Sequence, residues 1–167
     1  MDARNDQSLL ITTPSDFEFA MTRSFNASRD LVWEAVTKPE YVRRWYGCSQ
    51  FTLAVCEIDL RVGGAYRYTM RTPEGVDHTM TGIYREIAKP ERIVHTERYE
   101  TTGLITPYAL VTMTLTDLGG KTRLDTVVKH ESKETRDGHL NSGVENGARE
   151  TFDRHAALLE TLIAERT

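Results

Sequence analysis

The sequence lacks most of the features that mark specialised chains. Cysteine occurs twice in 167 residues, at Cys48 and Cys56, with neither metal-ligand spacing nor the density of a disulfide framework, which points to free thiols in a reducing compartment. Long apolar runs are missing. The longest early one is Leu9, Leu10, Ile11, too short for a signal-peptide core or a spanning helix, so cytoplasmic residence without membrane insertion is expected. There is no excess of positive charge: 21 Lys and Arg stand against 25 Asp and Glu, a net charge of −4, which argues against nucleic acid as a partner. No Gly-x-Ser-x-Gly, Gly-rich phosphate loop or Gly-x-Gly-x-x-Gly occurs, and His78, His95, His130, His139 and His155 form no metal-binding pattern. Neither a metal nor a cofactor is expected.

What is present is one ordinary globular domain, with 39% hydrophobic and 28% charged residues. Residues 1–15 mix residue types without a period and read as a loosely ordered tail, leaving 16–167 as the domain. Phe17, Phe19, Met21, Arg23 and Phe25 alternate with smaller or polar residues, the period of a half-buried strand. Ser28 then offers an N-cap to a helix carrying Leu31, Val32, Ala35 and Val36, and Pro39 opens a second short helix through Trp45, with Gly47 available to end it. From Phe51 to about Glu131 there is no helical period. Six segments, near 51–61, 65–72, 77–88, 92–102, 107–117 and 122–131, are separated by turn residues such as Gly63-Gly64 and Gly119-Gly120. Connections this short cannot carry parallel crossovers, so the sheet is predicted to be an antiparallel meander.

After Gly138, Val144, Ala148, Phe152, His155, Leu159 and Leu162 form one helical stripe, predicting a helix over about 140–165. The result is an α+β order in which a long C-terminal helix covers a curved sheet. A bowed sheet cannot meet a straight helix along its whole length, and the volume left between them is the natural place for a small molecule.

Particular residues sharpen this into a family resemblance. Arg23-x-Phe25-x-Ala27-Ser28, Val32-Trp33-x-Ala35-x-Thr37-x-Pro39-Glu40 and Trp45-Tyr46-Gly47 resemble the opening of the helix-grip START/Bet v-like (SRPBCC) proteins. Asp59-Leu60-Arg61-x-Gly63-Gly64-x-Tyr66-Arg67-Tyr68, Gly82-x-Tyr84-Arg85-Glu86-Ile87 and Pro90-Glu91-Arg92-Ile93-Val94 resemble the branch named for the activator of the ninety-kilodalton heat-shock chaperone's ATPase. Gly143-Val144-Glu145-x-Gly147, Phe152-Asp153-Arg154 and Leu158-Leu159 resemble the start of that branch's final helix. The resemblance implies a helix-grip fold. It leaves several functions open: noncatalytic binding of a hydrophobic molecule, cyclase, aromatase or hydrolase chemistry in the same cavity, or co-chaperone-like activation of a chaperone ATPase. The eukaryotic activators carry a separate chaperone-engaging domain, which a 15-residue tail does not replace. Family members commonly have Leu where this chain has His155, which implies a more polar far side of the pocket.

The candidate ligand-binding residues follow from strand and helix periodicity. Tyr66, Tyr68 and Met70 share a strand face assigned to the cavity, although both tyrosines also suit plain core with hydroxyls at the rim. His95, Glu97 and Tyr99 share a face of their strand. An inward Glu97 must pair or take up a proton; the alternative is an exposed Glu97 beside Arg98. His130 shares a face with apolar residues and is expected at the cavity mouth. His155, flanked by Phe152 and Leu159, points inward, either as a core histidine bonded to a carbonyl or tyrosine, or as a ligand contact and candidate general acid/base. Met21, Met70, Met80 and Met113 supply adaptable apolar surface, and Trp45 is placed at the entrance. The expected occupant is a small hydrophobic or aromatic molecule, and an exposed sheet edge offers a route to a homodimer.

Overall fold

A computed structural model describes residues 8–167. Of the expected tail, residues 1–7 fall outside the described residues, but Leu10–Ser15 form strand β1, antiparallel to β2 (Glu18–Phe25) with Leu10 opposite Thr22. β1 leaves most of its side chains in solvent, while Leu9 just before it is buried. A strand exposed on both faces carries no alternation, which is why it reads as a tail.

Helices α1 (Arg29–Thr37) and α2 (Pro39–Trp45) form as expected, with the Ser28 hydroxyl accepting from the Leu31 amide at 3.3 Å and proline opening α2. The meander follows as β3 (Thr52–Ile58), β4 (Ala65–Arg71), β5 (Asp77–Ala88), β6 (Arg92–Thr101), β8 (Ala109–Asp117) and β9 (Thr122–Lys129), with a two-residue strand β7 (Leu104–Ile105) folded back on β6. β2 pairs with β9, so the described sheet is antiparallel in the order β1-β2-β9-β8-β6-β5-β4-β3. This is the helix-grip architecture: a curved, open sheet facing one long helix.

That helix, α4 (Val144–Arg166), begins later than its stripe predicts, because α3 (Lys133–Leu140) intervenes and Gly143, at φ +88°, separates the two. α3 has little apolar surface, and only Arg136 is buried on it. The Arg136 guanidinium donates to the Ser15 carbonyl at 2.5 Å and to Asp137 at 2.8 Å, tying α3 to the β1–β2 turn. A helix anchored by one buried cation leaves no hydrophobic period to read. At 23 residues α4 is about 34 Å long and spans the sheet.

Two groups of buried residues hold the layers together. The larger joins Phe25, Val32, Trp33, Leu115, Leu124 and the α4 residues Phe152, Leu158, Leu159 and Leu162. The smaller joins Phe19, Ala109, Val111 and Val128.

Candidate functional site

Between these two groups lies a cavity of about 350 Å³, bounded by the sheet, the end of α2 and the first half of α4. Its floor comes from strand alternation. On β4, Tyr66, Tyr68 and Met70 face inward, and so do Met80 and Tyr84 on β5, His95 and Glu97 on β6, and Met113 on β8. Trp45, Phe152 and His155 close the helix side, and Met21 joins the wall from β2. The inward orientation of Glu97 is settled in favour of the cavity.

The tyrosines make a contiguous aromatic wall. Tyr66 lies 4.9 Å from Tyr68 and 5.8 Å from Tyr84, and Tyr46 lies 4.7 Å from Tyr68. Tyr66 sits directly across the sheet from Gly82, and a Cβ on Gly82 would meet the Thr96 carbonyl and come within 2.5 Å of the Tyr66 ring. The missing side chain therefore lets the ring lie flat on β5 and its hydroxyl donate to the Thr96 carbonyl at 3.2 Å. His95 Nδ1 bonds the same carbonyl at 2.8 Å, so this nitrogen carries the proton and Nε2 is left as an acceptor. Burial lowers the His95 pKa to about 4, keeping the ring neutral.

Glu97 is the carboxylate of this wall, and no cation lines the cavity among the described residues. Desolvation pushes its pKa up to about 7, with the nearby Tyr66 hydroxyl opposing the rise. Its charge in turn reaches the hydroxyls of Tyr46 and Tyr66, whose pKa values burial has already raised far above the usual range.

His155 departs from expectation. It is fully buried, stacked on Trp45 at 4.4 Å and 12° and packed near Phe25 at 4.6 Å, and neither ring nitrogen has a hydrogen-bond partner. The carbonyl or tyrosine partner expected for a core histidine is not there. Desolvation, aided by the Arg23 charge, lowers its pKa to about 3. The ring contributes to the cavity wall, but its nitrogens are sealed and it is placed poorly to move protons to or from a ligand. Trp45 forms part of this seal, with its indole N–H donating to the Ala35 carbonyl at 2.7 Å.

Two proposed lining residues lie elsewhere. Tyr99 is hydrogen-bonded to His78 outside the cavity, because β6 runs past the cavity before reaching it. His130 is drawn away by α3: its Nε2 lies 3.0 Å from His139 Nδ1, and His139 takes the place at the wall. Of the residues missed, Tyr84 was legible by parity from Met80 across Gly82. Tyr46, at the C-cap of α2, carries no periodic signal.

Residues 26–160 match the family described as "Activator of Hsp90 ATPase homolog 1-like protein". The chain belongs to this family. The helix-grip fold described above is shared by solved structures. A protein from Rhodobacter sphaeroides is similar at 25% identity and a TM-score of 0.84, over 92% of this chain and 99% of that one. A Chromobacterium violaceum protein gives 27% and 0.73 over 87% and 99%, and one from Mycobacterium smegmatis 22% and 0.81 over 91% and 97%. No curated protein matches the sequence. No described helix is long and apolar enough to cross a membrane.

Proposed function

We propose that this member of the activator-homologue family is a noncatalytic binding protein for a small hydrophobic or aromatic molecule. The observation that carries the reading is the cavity of about 350 Å³, lined mainly by aromatic and aliphatic side chains with a few inward polar groups. That volume is within the range of small-molecule sites, and the combination of broad apolar walls with sparse polar atoms is how such sites bind and orient a ligand. Trp45, Tyr66, Tyr68, Met70, Met80, Glu97, Met113, Phe152 and His155 are the contact residues of this proposal.

Titration with the neutral fluorophore N-phenyl-1-naphthylamine tests it. Saturable binding at one site per chain is expected, weakened at least tenfold in Ala148→Phe, which projects a ring into the cavity from α4, and clearly weakened in Tyr68→Ala. Absence of saturable binding to the folded protein overturns the proposal. The family match favours one second reading, activation of a chaperone ATPase. An unchanged ATPase rate of the purified chaperone with excess of this protein dismisses it.

A further inference from the structure

The chemistry of the cavity wall narrows the ligand class, an inference that rests on the binding function proposed above. Two acceptors of the cavity wall stand out, the Glu97 carboxylate and one nitrogen of His95. The Tyr66 hydroxyl proton is committed to the Thr96 carbonyl, and His95 Nδ1–H is committed to the same oxygen, leaving the His95 Nε2 lone pair. Among the described residues no ion pair involves Glu97, and neither Lys nor Arg lines the cavity. An isolated buried carboxylate is costly unless a cation or a proton neutralises it. The rings of Tyr46, Tyr66 and Tyr68 line the same cavity, with neighbouring centroids 4.7 and 4.9 Å apart, and aromatic faces attract cations.

We propose that the cavity selects a lipophilic amine, with its ammonium paired to Glu97 beside the tyrosine faces and its apolar body lodged among Met80, Met113 and Phe152. An ammonium brings three donors and no acceptor, which complements the Glu97 carboxylate and the His95 Nε2 lone pair. A carboxylate of the same shape meets Glu97 with like charge and finds no cation. A neutral alcohol fits the apolar space but leaves the carboxylate without a counter-charge.

The other titratable groups lining the cavity are Tyr46 and Cys48 at the end of α2, Tyr66 and Tyr68 from β4, Tyr84 from β5, His95 from β6, His139 from α3 and His155 from α4. Burial keeps the tyrosines and the thiol protonated and the three histidines neutral between pH 5.5 and 8.5. Only Glu97 titrates there, from protonated at pH 5.5 to ionised at pH 8.5. The ammonium requires the ionised form, so apparent affinity follows that fraction and rises by about 30-fold across the interval.

Calorimetric titration of the full chain with 4-phenylbutylamine, 4-phenylbutan-1-ol and 4-phenylbutanoate decides the matter. The amine is expected to bind at least tenfold tighter than the alcohol at pH 8.5, the carboxylate weakest, and only the amine to show the pH rise. Glu97→Gln is expected to remove the amine's advantage and pH dependence while alcohol affinity changes less than about twofold. If that variant does not fold, the wild-type pH profile still decides. Equal affinities for amine and alcohol, or an amine affinity flat in pH, overturn the inference. N-phenyl-1-naphthylamine separates the two levels: if it binds while the amine shows no preference, only the amine selectivity fails, and if nothing binds, the binding function fails too.

Discussion

The two halves of α4 meet the sheet in different ways. From Phe152 to Leu162 the helix buries Phe152, Leu158, Leu159 and Leu162 in the larger core group, with His155 buried beside them. From Val144 to Thr151 it offers Val144, Gly147, Ala148 and Thr151 to the cavity, and none of these is fully buried. The backbone is the same in both halves, so the difference is the reach of the side chains. Leucine and phenylalanine bridge the space between helix and sheet, whereas glycine and alanine do not. The open volume is thus set by residue choice in two turns of one helix as well as by the bow of the sheet.

Breaking the packed half has the largest expected effect. Leu159→Ala removes a fully enclosed side chain and should cost about 2–5 kcal/mol in denaturant unfolding; a loss below about 1 kcal/mol means that this half is no better filled than the other. His155 stands at the boundary, with two unsatisfied nitrogens enclosed by rings. His155→Leu should raise stability by about 1–3 kcal/mol at neutral pH by removing the orphaned polar atoms. The same variant sharpens the pH behaviour. A histidine whose folded pKa is lowered stabilises fully above its ordinary value near 6.5, and that contribution is lost as pH falls toward the folded value of about 3. Acid melts should therefore show a shallower decline in His155→Leu, with part of the remaining slope carried by His95 and His139, both lowered to about 4. Glu97 runs the other way, since its raised pKa favours the fold below 4.5 and loses that advantage as pH rises through about 7. The smallest effect belongs to the loose half. No atom crowds the position of a Cβ on Gly147, so Gly147→Ala should add about 0.5–1 kcal/mol through helix propensity alone.

The same contrast explains what the sequence allowed to be read. The apolar stripe of α4 and the alternation on β4 repeat at the periods of their elements, so Phe152, His155, Tyr66 and Tyr68 were legible on the inner face, whereas the alternation on β6 left Glu97 open between an inward and an exposed side chain. β1 and α3 were not, because one buries almost nothing and the other is held by a buried arginine and its hydrogen bonds. Tyr99 and His130 have the correct parity but the wrong position along the cavity. Periodicity gives the face of an element, not the distance along it at which a cavity ends. Tyr46 enters from a helix terminus, where no repeat exists to be counted.

The flat seating of Tyr66 on Gly82 links two positions on neighbouring strands. Any other chain of this architecture that bears a side chain at the second position must send its ring elsewhere and give up the shared hold on the Thr96 carbonyl. The two positions should therefore be inherited as a pair across genomes, and a single glycine then marks which relatives have kept this aromatic wall and which have rebuilt it for another guest.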